Sequence, residues 1–280
     1  MSSLFAGAKK FNGDLSRWDV SGTRDMRDIF MGAKSFNGKK VLNDLSLDIK
    51  TGESLVILGG SGSGKSVLLR CILGLIKPTT GQIIVNGVET SRNRNVLPKE
   101  VMKNIGMLFQ GSALFDSLPV WQNIAFGLVH SMKLPKDEAK KIALKTLSMV
   151  GLPQSAADLW PAELSGGMQK RVSLARAIAT SPDILFFDEP TTGLDPILCS
   201  VIDHLIIKNV RELGATAISI THDIKSAKTI ADRIAMLYGG KIIWTGTSKD
   251  LLKSDNPYVS QFVHGKTSGP IRLEGVKSKG

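Results

Sequence analysis

Residues 59–66 have the types and the spacing needed to hold a nucleotide phosphate. In order they are Gly59, Gly60, Ser61, Gly62, Ser63, Gly64, Lys65 and Ser66, which fits G-x-x-x-x-G-K-[ST]. Main-chain N–H groups of such a loop surround the phosphates, the lysine reaches the terminal phosphates, and the last hydroxyl binds Mg²⁺. Glycine lacks a Cβ, so the chain can adopt positive φ and turn its donors inward. A plain glycine-rich turn is the alternative.

Two carboxylates follow an apolar run at 184–187. Asp188 is predicted to hold Mg²⁺ directly or through water, and Glu189 to orient or deprotonate an attacking water. A run of four apolar residues is typical of a buried strand, which would deliver both carboxylates to the edge of an α/β sheet where ligands bind. The alternative is an acidic turn, but Pro190 closes the strand and a phosphate loop lies upstream.

Two more polar side chains follow predicted strands. Gln110 comes after the run at 105–109 and offers an oxygen for Mg²⁺ and an amide for water or a hinge. His222 comes after the run at 217–221 and is predicted to contact a γ-phosphate. Both should converge with Asp188 on one sheet edge. The other histidines have no such setting and are predicted to be structural: His130, His204 and His264.

The sequence LSGGMQ at 164–169 precedes the acidic motif. Ser165 can cap a helix predicted over 170–179, and Gly166 and Gly167 would let the phosphate of another molecule approach the start of that helix. An ordinary helix cap is the alternative. The placement of LSGGMQ shortly before the strand at 184–187 favours the phosphate interpretation.

The elements that must position these groups alternate between strands and helices. Residues 41–49 alternate apolar and polar residues as in a half-buried strand, 54–58 read as a buried strand, and 67–76 as a helix. Residues 81–87 predict a strand running into an Asn-Gly turn. From 115 to 162 the pattern becomes helical and is punctuated by prolines, which predicts an inserted helical subdomain. The fold class is therefore α/β.

Composition limits the remaining function classes. The chain has 280 residues, 42% of them hydrophobic, enough for one large core and a small appended subdomain. We find no apolar run of about 18 residues, as a membrane span requires, and no secretory signal. Cys71 and Cys199 lie far apart without metal-ligand spacing, which predicts reduced packing residues in a reducing cytoplasm.

The net charge of +11 is concentrated at the ends of the chain. Residues 1–40 hold eight Lys/Arg and four Asp/Glu, and residues 247–280 hold six and three, so the ends supply +7 and the body +4. A nucleic-acid-binding stripe should lie on the folded body, usually with exposed aromatic residues. We therefore predict no nucleic-acid partner, and basic tails that are solvated or lie near an anionic membrane surface.

Residues 1–38 contain an internal repeat. Residues 5–13 recur as residues 30–38 with seven of nine positions identical, and each copy ends in Asn-Gly. The segment resembles the 25-residue "FN-x-D-L-S-x-W-D-V" repeats of bacterial surface leucine-rich-repeat proteins. One and a half copies cannot bury a solenoid core, which needs about three units. Our hypothesis is a fused fragment, disordered or packed loosely on the domain behind it.

The full set of motifs, taken in chain order, resembles the ATP-binding subunits of ABC transporters over residues 39–246. The set comprises 59–66, Gln110, 164–169, Asp188-Glu189, 193–195 and His222. This resemblance implies a P-loop NTPase of the ABC ATPase type with an antiparallel β-subdomain and a helical subdomain at about 115–165. It implies ATP with Mg²⁺ held between two copies head to tail, where residues 59–66 of one face Ser165, Gly166 and Gly167 of the other. Asp195 would lie at that interface, and integral membrane permease subunits would be partners.

Phe36 has two competing interpretations. It precedes Lys65 by 29 residues, where many members of this family have an aromatic residue stacked on adenine, and residues 28–31 could then be the first strand of the β-subdomain. Alternatively, Phe36 is a relic of the repeat and only packs.

Residues 110–125, with the pattern NP, QF, G and GP over 256–270, resemble the Mla type of this family. That resemblance implies phospholipid transport in a double-membrane envelope, at the cytoplasmic face of the inner membrane. It also implies an MCE-domain lipid-binding protein and a small regulatory subunit as partners, with the tail at 247–280 contacting the neighbouring ATPase or the regulator. Three alternatives stay open: the ATPase of an amino-acid or other small-solute importer, a nucleotide-binding scaffold without turnover, and a soluble regulatory ABC ATPase. ATPases of this last class, which includes nucleic-acid-associated ones, commonly have two cassettes in one chain or long coiled-coil insertions, and the sequence shows neither.

Overall fold

The computed structural model describes residues 26–31, 35–36, 39–91 and 97–272, with side chains from residue 41 onward. The first repeat copy and the Phe36 ring lie outside the described residues. In the described part the strands are β1 (Met26–Met31), β2 (Ser35–Phe36), β3 (Lys39–Lys40), β4 (Leu45–Ile49), β5 (Ser54–Leu58), β6 (Gly81–Gln82), β7 (Ile84–Val85), β8 (Val88–Glu89), β9 (Ile105–Leu108), β10 (Ile184–Asp188), β11 (Thr216–Thr221), β12 (Arg233–Tyr238) and β13 (Lys241–Gly246).

The helices occupy the connections between these strands. In the described part they are α1 (Lys65–Ile72), α2 (Lys99–Lys103), α3 (Val120–His130), α4 (Lys136–Met149), α5 (Gly166–Ile178), α6 (Pro196–Leu213), α7 (Ile224–Ile230), α8 (Ser248–Leu252) and α9 (Pro257–Val263), with 3₁₀ turns at Gln154–Asp158 and Pro161–Glu163. Among these helices, none has the length and apolar character needed to cross a membrane.

A six-stranded sheet in the order β13-β12-β5-β11-β10-β9 forms the centre of the structure. Its pairs are parallel except β12 with β13. Parallel strands end at the same sheet edge, so β5, β9, β10 and β11 deliver the residues that follow them to one place. The sheet therefore explains why groups far apart in sequence meet.

The central strands are buried and mostly apolar because both faces of the sheet are covered. In β10, Ile184 and Phe186 pack in the cluster that includes α1, whereas Leu185 and Phe187 face the cluster that includes α3 to α6. In β5 every residue is buried. This confirms the buried strands predicted from uninterrupted apolar runs.

A small antiparallel sheet in the order β4-β1-β6 adjoins the large one. The strand β4 alternates buried and exposed residues, as its sequence predicted. Met31 in β1 pairs with Leu45 in β4 and with Gly81 in β6. The backbone of residues 26–31 thus forms the middle strand of this sheet, which agrees with the interpretation of 28–31 as a first strand.

Residues 115–162 form the predicted helical region. The helix α3 packs Val120, Ile124 and Leu128 into the core at every fourth position, and α4 does the same with Ala139 and Ala143. The helix α5 begins at Gly166, four residues earlier than predicted, because Ser165 Oγ accepts a hydrogen bond from Met168 N at 3.3 Å and caps it there.

Candidate active site

The phosphate loop joins β5 to α1. Lys65 is buried, and its Nζ donates to the carbonyl oxygens of Gly59 at 2.7 Å and Gly60 at 3.0 Å. No side chain caps α1, whose N-cap is Gly64 with φ +104°. The N–H groups of its first turn therefore have no side-chain acceptor and are available to an anion.

Two glycines in this loop are required by packing as well as by ligand approach. A Cβ on Gly59 would lie 2.5 Å from the carbonyl oxygen of Leu237, and one on Gly64 would lie 3.1 Å from Leu42 Cδ2. Gly64 also has a left-handed φ that disfavours other residues. Neither position can accept a side chain without moving its neighbours.

Glu189 lies at the centre of the predicted site. Its Oε1 is 3.7 Å from Lys65 Nζ, and its Oε2 is 2.9 Å from His222 Nδ1. Thr192 and Thr221 donate to Oε2, each from a hydroxyl at 3.3 Å. Burial lowers the pKa of Lys65, and the charge of Glu189 opposes that shift. The structure therefore brings together three groups that come from three separate loops.

The backbone of Glu189 is strained. Its φ is +47°, a left-handed conformation that costs about 1–2 kcal/mol for a residue other than glycine. Its N–H donates to the carbonyl of Ile220 at 2.9 Å, and its carbonyl accepts from Thr192 N at 3.2 Å. These bonds hold the carboxylate in one direction, and such strain is frequent at functional sites.

Asp188 fits a magnesium ligand. Its Oδ1 is buried without a hydrogen-bond partner in the described chain, as is the hydroxyl of Ser63 in the phosphate loop. Burial, and next the charge of Glu189, raise the pKa of Asp188, while Arg70 among others opposes the shift. A cation would remove this unfavourable state of the carboxylate. Within the described residues no group of three or more His, Cys, Asp or Glu could hold a metal.

Gln110 is exposed at the end of β9, and α5 holds its main chain. The buried ammonium of Lys170 donates to the carbonyl of Gln110. Arg176 donates to the carbonyls of Ser112 at 2.7 Å and Ala113 at 2.6 Å, and Ser112 also accepts from the hydroxyl of a neighbouring serine on α5. Ser112 and Ala113 have φ of +62° and +49°, so two consecutive strained residues depend on α5.

Ser165, Gly166 and Gly167 begin α5 but are not joined to residues 59–66 by any hydrogen bond or ion pair in the described chain. A Cβ on Gly167 would lie 3.1 Å from Leu198 Cδ1, so glycine permits the close contact of α5 with α6. The side chain of Asp195 caps α6 and accepts from the main-chain N–H groups of its second and third residues at 2.9 and 3.0 Å.

The remaining histidines contact their own helices. The ring of His130 stacks on Phe126 with centroids 4.4 Å apart. The Nδ1 atoms of His204 and His264 lie 2.6 Å and 2.8 Å from carbonyl oxygens one turn earlier.

Sequence reasoning missed the residues that hold the site. Lys170 and Arg176 reach the loop after Gln110, and Thr221 reaches Glu189. A signal exists for Lys170: it lies between Gly167 and Leu174 on the buried side of α5, where a charged residue needs a partner. The partner could not be identified, because it lies 60 positions away in sequence.

Comparison with known proteins identifies the family. Residues 42–192 match the family described as "ABC transporter". The chain is 42% identical over 238 residues to the "Intermembrane phospholipid transport system ATP-binding protein MlaF" of Haemophilus influenzae, which covers 85% of this chain and 90% of that protein. It is 40% identical over 226 residues to the "Methionine import ATP-binding protein MetN" of Carboxydothermus hydrogenoformans, covering 80% and 66%.

Among solved structures, a dimeric post-hydrolysis state of the ATP-binding cassette MJ0796 bound to ADP and Pi superposes with a TM-score of 0.70. It is 32% identical, and the match covers 80% of this chain and 98% of that one. The chain belongs to the ABC transporter family. It is an ABC-type ATPase that uses ATP with Mg²⁺, and cassettes of this family work as dimers with membrane permease partners.

Residues 1–49 match a second family, described as "Mycoplasma protein of unknown function, DUF285". This match overlaps the first at residues 42–49 and includes β1 and β4. Its description names no leucine-rich repeat, so the resemblance of the leader to surface repeats remains a hypothesis.

Proposed function

We propose that this protein is the ATP-hydrolysing subunit of a transporter that moves phospholipid across or between envelope membranes. The observation that carries the catalytic part is the position of Glu189 between Lys65 and His222. The phospholipid part rests on the similarity to MlaF, which extends beyond the ATP-binding motifs to 85% of the chain.

The geometry supports a specific role for each group of the site. Residues 59–66 bind the phosphates through main-chain N–H groups, and Lys65 exchanges its two carbonyl acceptors for phosphate oxygens. Glu189 accepts the proton of the attacking water or orients that water. His222 leaves the carboxylate and donates to the γ-phosphate, where negative charge develops.

Ser66, Gln110 and Asp188 would hold the magnesium ion. When bound, the ion neutralises charge on the phosphates. Ser66 is exposed in the first turn of α1, directly after the loop that follows β5, and Asp188 ends β10, so both belong to the same edge of the sheet. Gln110 also connects the site to the helical region at about 115–165. A rigid-body movement of this region would transmit the ATP hydrolysis cycle to the permease subunits.

Ser165, Gly166 and Gly167 would complete the site of a second copy arranged head to tail. No hydrogen bond joins them to the phosphate loop of their own chain among the described residues, which supports this assignment, as does the dimeric state of the related cassette. Asp195 would lie at the same interface and fix the start of α6 there.

The remaining partners follow from the same similarity. We infer integral membrane permease subunits, an MCE-domain lipid-binding protein and a small regulatory subunit, with no nucleic acid. The protein would act at the cytoplasmic face of the inner membrane as a peripheral subunit. The tail at 247–280 would contact the second copy or the regulator.

We propose three parts of the chain: a leader, a cassette that ends near 246, and the tail. The antiparallel pairing of Met26–Met31 with Leu45–Ile49 supports counting β1 with the cassette, although the repeat extends to residue 38. The fused-fragment hypothesis then concerns residues 1–25 above all. Phe36 remains the candidate for stacking on adenine; its backbone pairs with Lys39.

Two shortened chains test the leader. Removing residues 1–25 should leave ATP hydrolysis and the melting temperature unchanged, whereas removing residues 1–30 should lower the melting temperature because β1 is lost. A large loss of stability in the shorter deletion would contradict a loosely attached leader.

Replacing Phe36 by Ala in the full chain should weaken ATP binding if the ring stacks on adenine. An unchanged affinity would favour a packing role.

Transport is tested in cells. Deletion of the gene should cause phospholipid to accumulate in the outer leaflet of the outer membrane, and wild type but not Glu189→Gln should reverse it. The similarity to MetN favours a second candidate, a small-solute importer. Loss of methionine uptake without lipid accumulation would support that candidate instead.

An ATPase assay tests the third alternative. If the purified chain binds ATP but does not hydrolyse it, the protein is a nucleotide-binding scaffold.

A further inference from the structure

A buried carboxyl group lies on α6 outside all the motifs described above. The side chain of Asp203 is 2% exposed, and its Oδ1 has no hydrogen-bond partner within the described chain. Burial raises its pKa to about 6, and a hydrogen bond from Ser226 opposes that shift. A carboxylate kept in such a place lowers stability, so its presence suggests another contribution.

The hydroxyl of Ser226 connects Asp203 to the loop that follows Glu189. Ser226 is 1% exposed on α7, and its Oγ lies 3.2 Å from Oγ1 of Thr191, which is also buried. Either of these two hydroxyls can donate to the other, and the carboxyl group of Asp203 lies within the range of the Ser226 hydroxyl. The three side chains thus form one chain of contacts in the order Asp203, Ser226 and Thr191.

Two members of this chain, Thr191 and Ser226, are close in sequence or by hydrogen bonding to the reacting groups. Thr191 follows Glu189 with only Pro190 between them, and the thiol of Cys199 on α6 donates to its carbonyl at 3.5 Å. On the other side, Asp223 directly follows His222 and accepts from Ser226 N at 3.2 Å. Ser226 is therefore tied to the turn that carries His222, and Thr191 to the loop that carries Glu189.

We propose that Asp203 is a positioning residue for ATP hydrolysis, which acts through Ser226 and Thr191 to hold the Glu189 loop and the His222 turn in one relative arrangement. The proposal rests on the functions proposed for Glu189 and His222. The strained φ of Glu189 makes such support necessary, because a free loop would relax from +47°. Asp203 lies on α6, which Asp195 caps at the proposed dimer interface. Through Asp203 this helix is connected to the loop that carries Glu189 and to the turn that carries His222.

The test is a pair of substitutions in the full chain, Asp203→Leu and Asp203→Asn, with Glu212→Gln as control on the exposed side of the same helix. Leucine removes the desolvated charge and breaks the chain of contacts, so it should raise the melting temperature at pH 7.5 and still lower kcat. We expect kcat to fall about tenfold, less than the about 10²-fold that a 1 Å misplacement can cause. KM for ATP should change less than about twofold, since the substitution leaves the phosphate loop unchanged.

Asparagine retains an acceptor for Ser226 and should restore part of kcat. Hydrogen–deuterium exchange of residues 189–195 should be faster in Asp203→Leu than in wild type or Glu212→Gln. The proposal is overturned if kcat of Asp203→Leu equals that of the control, or if kcat and melting temperature fall together. A wild-type chain without ATPase activity would refute the proposed function; unchanged exchange at 189–195 would separately refute the positioning role.

Discussion

The imidazole Nδ1 of His222 and the carboxylate Oε2 of Glu189 lie 2.9 Å apart, at the ends of two neighbouring parallel strands. The same oxygen accepts from the main-chain N–H of His222 at 3.4 Å. The carboxylate thus holds both the ring and the backbone of the turn at 222. A change at either residue will therefore alter the other.

Replacing His222 by Ala should lower kcat by about 10²-fold, the effect of losing one donor to charge that develops on phosphate. Stability should change little, because the side chain is 57% exposed. Steady-state ATPase kinetics and a thermal melt measure both. His204→Ala is the matched control, since its ring is also exposed and contacts one oxygen, the carbonyl oxygen of Ser200. Equal rates in the two variants would exclude a role for His222.

Replacing Glu189 by Gln should lower kcat by about 10²- to 10⁴-fold, the usual contribution of a general base, while ATP binding persists. The amide keeps the shape of the side chain but cannot accept the proton of water. ATP should therefore trap the closed dimer, which size-exclusion chromatography with and without ATP detects. Glu212→Gln is the control. Full turnover in Glu189→Gln would refute the assignment of the base.

Replacing Arg176 by Ala should free the loop after Gln110. The guanidinium holds two consecutive carbonyls, so its loss should lower the free energy of unfolding by about 1–2 kcal/mol. We also expect a lower kcat, because the strained residues Ser112 and Ala113 can then relax and move Gln110. Urea unfolding and ATPase assays measure these effects. The control, Arg171→Ala, removes a bond from the same helix to Gly151; an equal loss of kcat there would contradict the interpretation.

Asp203→Asn should change how stability depends on pH. The folded-state pKa of about 6 lies above the unfolded value of about 3.9, so folded wild type binds more protons between these values. The contribution of Asp203 to the stability of wild type therefore decreases as pH rises from about 4 to 6 and changes no further above that range. The variant lacks this loss and should be more stable by about 2–3 kcal/mol at pH 7.5, but not at pH 4. Urea unfolding at several pH values measures the difference; a constant difference would contradict burial of a titrating carboxyl.

Much of the site was predictable because its motifs are local. Residues 59–66 need a strand before them and a helix after them, and Asp188 needs an apolar strand; both contexts can be read from neighbouring residues. Gln110, Asp188 and His222 were expected at one sheet edge, and the strands that precede or carry them are parallel neighbours. The sheet confirms the α/β fold on which that expectation depended.

The supporting contacts were not predictable, for a physical reason. Lys170 and Asp203 each occupy a helix position that faces the interior, but what each contacts depends on how helices pack against distant loops. The start of α5 was also placed four residues too late, at 170, because the two glycines after Ser165 have a low helix propensity. Local sequence patterns specify helices and strands, whereas the contacts of a buried side chain are decided by how these elements pack.

The middle position of β1 in the small sheet has a consequence for how this protein could arise. The pairing of β1 with β4 and β6 is made by main-chain N–H and carbonyl groups. Every residue type except proline carries both of these groups. An ancestral cassette could therefore exchange its first strand for one from an unrelated gene and keep its sheet intact. Recombination upstream of residue 42 would then vary the N-terminus of such proteins without disturbing the catalytic edge of the large sheet.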